Sequence, residues 1–86
     1  MPEISRFYGI IVTMYLPDHN PPHFHVRYNE YRATIDISTG EVIGQMPRRA
    51  LKLIYEWLDL HKDELMENWR KMGKGETSIN TIQPLD

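Results

Sequence analysis

The feature that most constrains the fold is a regular alternation of apolar and polar residues on both sides of Asn29-Glu30. Two alternating runs separated by two residues predict a β-hairpin, and asparagine favours the positive φ that such a turn requires. If Tyr28 faces Tyr31, one side of the hairpin pairs only apolar residues and the other side only polar ones. The apolar pairs are Val26–Ala33 and Phe24–Ile35, and the polar pairs are Arg27–Arg32, His25–Thr34 and His23–Asp36. This register is predicted, because a one-residue slip would bury arginine.

The segments around this hairpin predict the rest of the architecture. Residues 7–16 are β-branched and aromatic and predict one buried strand, and residues 42–45 predict a short strand after a turn at 38–41. Residues 47–72 repeat apolar side chains every three or four positions, with proline at the start and glycine after the end, as in a long helix. The hairpin strands are placed at about 23–28 and 31–38. We expect one α+β domain over residues 1–86, a small antiparallel sheet of three to five strands packed on one long helix.

The predicted helix is longer than the sheet beneath it. Residues 47–72 would span about 39 Å, whereas a seven-residue strand spans roughly 23 Å. Leu65, Trp69 and Met72 would therefore extend past the sheet as a partner-binding surface, typical of a homodimer or of a complex with a small partner protein. In the alternative, the C-terminal tail folds back and covers them with Ile79, Ile82 and Leu85, leaving a monomer. An edge strand over 78–83 would do part of this.

Composition excludes several classes of function. The chain contains no cysteine, which excludes disulfides, thiolate metal sites and a cysteine nucleophile. No apolar run approaches the ~20 residues that span a bilayer, and the N-terminus lacks the pattern of a secretory signal, so a cytoplasmic protein without membrane contact is expected. The formal net charge is −2, so no global positive field attracts nucleic acid.

The polar side of the hairpin is the strongest candidate for a functional site. His23 and His25 are two residues apart on one strand and therefore share a face with Arg27 and Arg32. Arginines directly opposite each other repel, which favours an anion site between them. In the alternative, each arginine leans away and covers a tyrosine with its stem. Histidines beside such cations suit acid–base catalysis near neutral pH.

Two further groups of residues bear on this site. Arg48 and Arg49 lie in the first turn of the predicted helix, where they either reach acidic neighbours or help backbone N–H groups to bind phosphate or nucleic acid. A metal site would use the ligands Asp18, His19, His23 and His25. The ligand shell is incomplete, so no metal and no cofactor are expected.

The string Asp18-His19-Asn20-Pro21-Pro22-His23-Phe24-His25-Val26 resembles a known family. Together with Met1-Pro2-Glu3-Ile4, Pro47-Arg48-Arg49-Ala50-Leu51 and Glu64-Leu65…Asn68-Trp69, it is similar to the bacterial domain of unknown function 4160. Proteins of this kind look like one partner of two-gene modules, encoded beside a small protein of the domain of unknown function 2442 family. The resemblance implies a module of toxin–antitoxin type and supplies no catalytic residues.

These observations lead to two functional hypotheses. In the first, the chain is a small cytosolic toxin-like protein that acts on RNA, with His23 and His25 as catalytic acid and base and with arginines that hold phosphate. In the second, it is a non-catalytic module that binds a partner protein. The sequence does not separate an enzyme from a binding module.

Overall fold

Each strand of the sheet is paired with the strand that follows it in the sequence. The computed structural model describes residues 3–15, 21–76 and 79–86. Its elements, in chain order, are β1 (Glu3–Phe7), β2 (Ile10–Thr13), β3 (His23–Tyr28), β4 (Tyr31–Asp36), β5 (Val42–Gly44) and α1 (Arg48–Gly73). The five strands form one antiparallel sheet in the order β1-β2-β3-β4-β5. The predicted α+β class, an antiparallel sheet with one long helix, is confirmed.

The central hairpin has the register that its alternation predicts. Tyr28 faces Tyr31, Arg27 faces Arg32, and the pairing continues to His23 and Asp36. Asn29 has a φ of 55°, as expected for the first residue of this turn. One face of the hairpin is buried and the other carries the arginines and histidines.

The prediction of one strand over residues 7–16 is wrong, because the chain reverses direction at Tyr8-Gly9. Both residues have positive φ, 51° and 82°, which is the conformation of a two-residue hairpin turn. Phe7 pairs with Ile10, so β1 and β2 are adjacent antiparallel strands. The turn was missed because it lies within an apolar run and tyrosine is an unusual residue at positive φ.

The helix packs its apolar stripe on one face of the sheet. Trp57 is fully buried, and its ring centroid lies 5.4 Å from that of Phe7 and 5.7 Å from that of Phe24. The helix begins one residue later than predicted and is kinked at His61, whose φ of −125° is not helical. In the described part of the chain, no helix is long and apolar enough to cross a membrane.

The far end of the helix is covered by the C-terminal tail. The indole N–H of Trp57 donates to the carbonyl of Gln83, and the amide side chain of Asn68 exchanges two hydrogen bonds with the backbone of Asn80. Ile82 is buried, and its N–H donates to the carbonyl of Ile4 in β1. No strand is formed within 79–86, so the described part of the predicted edge strand is absent.

The tail therefore removes the exposed surface predicted at the end of the helix. Leu65 and Met72 are buried and Trp69 is half-buried, with Ile79, Ile82 and Leu85 packed in the same core. These residues are not the uncovered surface that was predicted, because the tail covers them as in the alternative. Their binding of a partner, and the monomer of the alternative, stay predictions. The tail has no regular structure, but backbone groups of Asn80, Ile82 and Gln83 are paired through the hydrogen bonds described above.

Candidate functional site

The sheet face that points away from the helix carries two rows of side chains that cross the strands. The arginine row consists of Arg6, Ile11, Arg27 and Arg32, which are successive register partners from β1 to β4. The histidine row runs beside it, two residues away on β2, β3 and β4 and three residues away on β1, where the register shifts between Glu3 and Ser5. Its members are Glu3, Thr13, His25, Thr34 and Ile43. We call this surface, the two rows together with Tyr15, the open face. Together the rows line a groove of about 680 Å³.

Arg27 and Arg32 are opposed across β3 and β4. The peptide N–H of Gln45 bonds to the carbonyl of Arg32 on the β5 side, so Arg27 and Arg32 form a pair that exchanges no hydrogen bonds. In such pairs the Cα atoms are about 4.5 Å apart. Both side chains are exposed, and neither forms an ion pair with a described residue. Two adjacent cations on an open sheet face are an arrangement that an anion would stabilise.

Arg6, at the β1 end of the same row, is held by Glu3. Its Nη2 lies 2.8 Å from Oε1 of Glu3 and its Nε lies 3.2 Å from Oε2, a two-point ion pair. The hydrogen bonds from the guanidinium lower the pKa of Glu3, and the carboxylate raises the pKa of Arg6. Among the groove-lining residues there are three arginines and one carboxylate, so the groove is basic although the chain is acidic.

His25 belongs to the histidine row, and His23 lies two residues before it on β3, outside the groove-lining residues. The ring centroids of His23 and His25 are 5.3 Å apart, and His25 meets Tyr15 edge-on at 4.5 Å. Nδ1 of His23 is 2.8 Å from the carbonyl of Pro21, so it donates there and directs Nε2 away from the backbone. On its other side the His23 ring contacts Trp69 at 5.2 Å. Two titratable rings thus lie next to the arginine row.

A comparison with family models matches residues 9–70 to the domain of unknown function DUF4160, over more than half of the 86-residue chain. The chain belongs to the DUF4160 family. A search of curated proteins and a search of solved structures found no match. The family match covers β2 to β5 and most of the helix, and therefore most of the open face of this DUF4160 protein.

Asp36 has a structural part in this DUF4160 domain. Its Oδ1 accepts the backbone N–H groups of Ser38 at 2.7 Å and Thr39 at 2.9 Å. The Thr39 hydrogen bond is the largest cause of a lowered Asp36 pKa, and the neighbouring charge of His23 acts in the same direction. Asp36 thus closes the turn between β4 and β5 and orients the strand that carries Ile43.

The remaining predicted site residues lie elsewhere. Arg48 and Arg49 are exposed in the first turn of the helix and are not among the groove-lining residues. Asp18 and His19, the additional metal ligands of the prediction, lie outside the described residues. Within 3–15, 21–76 and 79–86, no group of three His, Asp or Glu side chains could hold a metal ion. His61 is half-buried against Trp57, and its Nδ1 lies 2.6 Å from Oε1 of Glu64.

Three open-face residues were missed by the sequence analysis. Arg6 was missed because the Tyr8-Gly9 turn was not recognised, and without that turn β1 has no place beside β2. Tyr15 was assigned to a buried strand, whereas it follows β2 and contacts His25. Ile43 is 68% exposed, which the apolar pattern alone could not indicate.

Proposed function

We propose that this DUF4160 protein binds single-stranded RNA on the open face and cleaves it there. The observation that carries the proposal is the basic groove, in which Arg27 and Arg32 lie side by side without an acidic partner among the described residues. Phosphate contacts of arginine supply most of the affinity in nucleic-acid complexes.

The shape of the groove favours a single strand over a duplex. The arginine row crosses four strands spaced about 4.8 Å apart, which gives a track of roughly 14 Å for a phosphate backbone. The histidine row runs parallel to it and offers threonine hydroxyls and imidazole beside the track. Tyr15 provides an aromatic side chain on which an unpaired base can stack.

His23 and His25 are the proposed acid and base. One imidazole removes the proton of a ribose 2′-hydroxyl, whose oxygen attacks the adjacent phosphorus, and the other protonates the departing 5′-oxygen. The products are a 2′,3′-cyclic phosphate and a 5′-hydroxyl, so atoms and charges balance without another reactant. Arg27 lies two residues from His25 on the same strand and stabilises the charge that develops on the phosphate oxygens.

The proposed biological role is that of a cytoplasmic toxin in a two-gene module of bacterial toxin–antitoxin type. A small partner protein encoded alongside would restrain an RNA-cleaving activity of this kind. The role is supported by the resemblance of the His23–Val26 region to that class of protein and by the basic groove next to it.

Binding is tested with a fluorescently labelled single-stranded RNA of ten nucleotides. Arg27→Ala combined with Arg32→Ala should weaken binding at least about tenfold and reduce the slope of log affinity against log salt by roughly 1.4. The matched control is Arg48→Ala combined with Arg49→Ala, which changes the net charge equally outside the groove and should leave affinity within about twofold. Equal losses in both double variants would overturn the placement of the RNA on the open face.

Catalysis is tested separately by following cleavage of the same RNA. His25→Ala should abolish cleavage while binding stays within about threefold of wild type, and the wild-type rate should rise and fall with pH around the range in which histidine titrates. Wild-type protein that binds RNA without cleaving it would remove the enzymatic proposal. Wild-type protein that binds no RNA would overturn the RNA-binding proposal. The remaining hypothesis would be a non-catalytic module that binds a partner protein, which the exposed side chain of Ile43 favours.

A further inference from the structure

The last strand of the sheet, β5, has one unpaired side. The sheet ends at β5, whereas the other edge strand, β1, receives a hydrogen bond from Ile82 of the tail. The part of the chain that the structure describes places no segment against the outer side of β5. Ile43, at the centre of this strand, is 68% exposed, as much as the helix residue Leu60.

Two hydrogen bonds fix which backbone groups of β5 point outward. The carbonyl of Glu41 accepts the N–H of Asp36, and the N–H of Gln45 donates to the carbonyl of Arg32. In a trans peptide the C=O and N–H groups point in opposite directions. The N–H of Val42 and the carbonyl of Gly44 therefore point away from β4, to the free side.

These outward groups are complementary to the same groups of a second copy. In an antiparallel pair of identical strands related by a twofold axis, Val42 of one copy faces Gly44 of the other. The N–H of each Val42 then donates to the carbonyl of the opposite Gly44, and the N–H of each Gly44 is placed to donate back. The two Ile43 side chains face each other at the axis and cover one another.

The charges along the new interface also fit a second copy. The twofold axis places Glu41 of one copy opposite Gln45 of the other, so no like charges face each other directly. Gln45 is the neighbour of Arg32 across β4 and β5. The arginine row of one copy consequently leads towards the acidic Glu41 of the other, a favourable arrangement for opposite charges.

We propose that two copies of this protein associate through β5 to form a continuous ten-stranded sheet with both open faces on the same side. The interface is isologous and closed, which limits the assembly to a dimer. The dimer does not require RNA binding, and RNA binding does not require the dimer, so the two proposals fail independently.

An engineered cysteine tests the register directly, because the natural chain has none. Ile43→Cys should form a disulfide-linked dimer under mild oxidation, since residues that face each other without exchanging hydrogen bonds have Cα atoms about 4.5 Å apart, within the range of a disulfide. Leu60→Cys is the matched control with the same exposure, 68%, and should cross-link at least about tenfold more slowly. Equal rates for the two variants would overturn the proposal.

Sedimentation of the cysteine-free protein gives a second, independent measurement. Wild type should show a concentration-dependent dimer. Val42→Pro should be monomeric at the same concentrations, because the hydrogen-bond donor that it removes is the outward N–H. Ile43→Lys places two cations at the axis and should weaken the dimer at least about tenfold without affecting β4–β5 pairing. A wild-type chain that stays monomeric at millimolar concentration, or an Ile43→Lys variant that dimerises as well as wild type, would disprove this interface.

Discussion

At the scale of single residues, Asp36 links the stability of the sheet to pH. Its carboxylate accepts two backbone N–H groups, which lower its pKa in the folded state. A lowered folded-state pKa stabilises the fold above about pH 4, and that contribution is lost as pH falls through the folded-state pKa. Asp36→Asn should therefore be less stable than wild type at pH 7, with the difference shrinking as pH falls through the folded-state pKa of Asp36. Urea unfolding across this range measures it, and Asp59→Asn on the exposed helix surface is the control.

Glycine is required at position 44 by the backbone geometry of β5. Its φ is 118°, and a Cβ atom there would lie 2.6 Å from the carbonyl oxygen of Arg32. Gly44→Ala should lower the free energy of unfolding by about 1–3 kcal/mol, because both the backbone conformation and the close approach to β4 are lost. Gly73→Ala is the control, since no atom lies within 4 Å of its Cβ position. It should be neutral or stabilising by up to about 1 kcal/mol in the same denaturation measurement.

At the scale of elements, the packing of the tail on the helix depends on one buried amide. Asn68 is 1% exposed and holds both the N–H and the carbonyl of Asn80. Asn68→Ala should destabilise the protein by about 1–3 kcal/mol and expose the tail. Hydrogen exchange of the Ile82 amide should quicken more than that of the Val26 amide in β3. Equal changes at both amides would show that Asn68 supports the whole fold and has no specific role for the tail.

The elements predicted correctly from the sequence are those in which apolar residues recur at regular spacing. The hairpin register could be predicted because apolar and polar residues alternate in steps of two, as in a strand with one buried face. The long helix could be predicted because apolar residues recur every three to four positions. The Tyr8-Gly9 turn was not, since it interrupts an apolar run without the usual turn residues. The packing of the tail on the helix was one of two alternatives, and its side chain–backbone bonds to Asn68 and Trp57 leave no periodic pattern that would favour it beforehand.

The candidate site was predictable to the same degree as the strands that form it. His25, Arg27 and Arg32 line one groove, as their positions in the predicted hairpin imply. His23 lies outside the groove-lining residues and contacts Trp69 of the helix. Arg6 joins them only through the β1–β2 register, and Ile43 only through β5. Side chains contributed by mispredicted or short strands could not be assigned to the groove beforehand.

At the scale of the whole molecule, the basic groove lowers the free energy of unfolding of the protein that has no anion bound. Arg27 and Arg32 repel each other across β3 and β4 in the absence of a bound anion. Arg27→Thr should therefore raise the free energy of unfolding by about 0.2–1 kcal/mol while weakening RNA binding. Thermal unfolding at low and high salt checks the cause, because added salt should reduce the difference between wild type and variant.

The pairing of every strand with its neighbour in the sequence also affects how the chain folds. Each hairpin closes a short loop, so most of the sheet forms without the entropy cost of joining distant segments. The long-range steps are the docking of the helix on β3 and of Ile82 on β1. The sheet can thus assemble outward from the Asn29-Glu30 turn, whereas the contact between Ile82 and Ile4 joins segments that are far apart in the sequence.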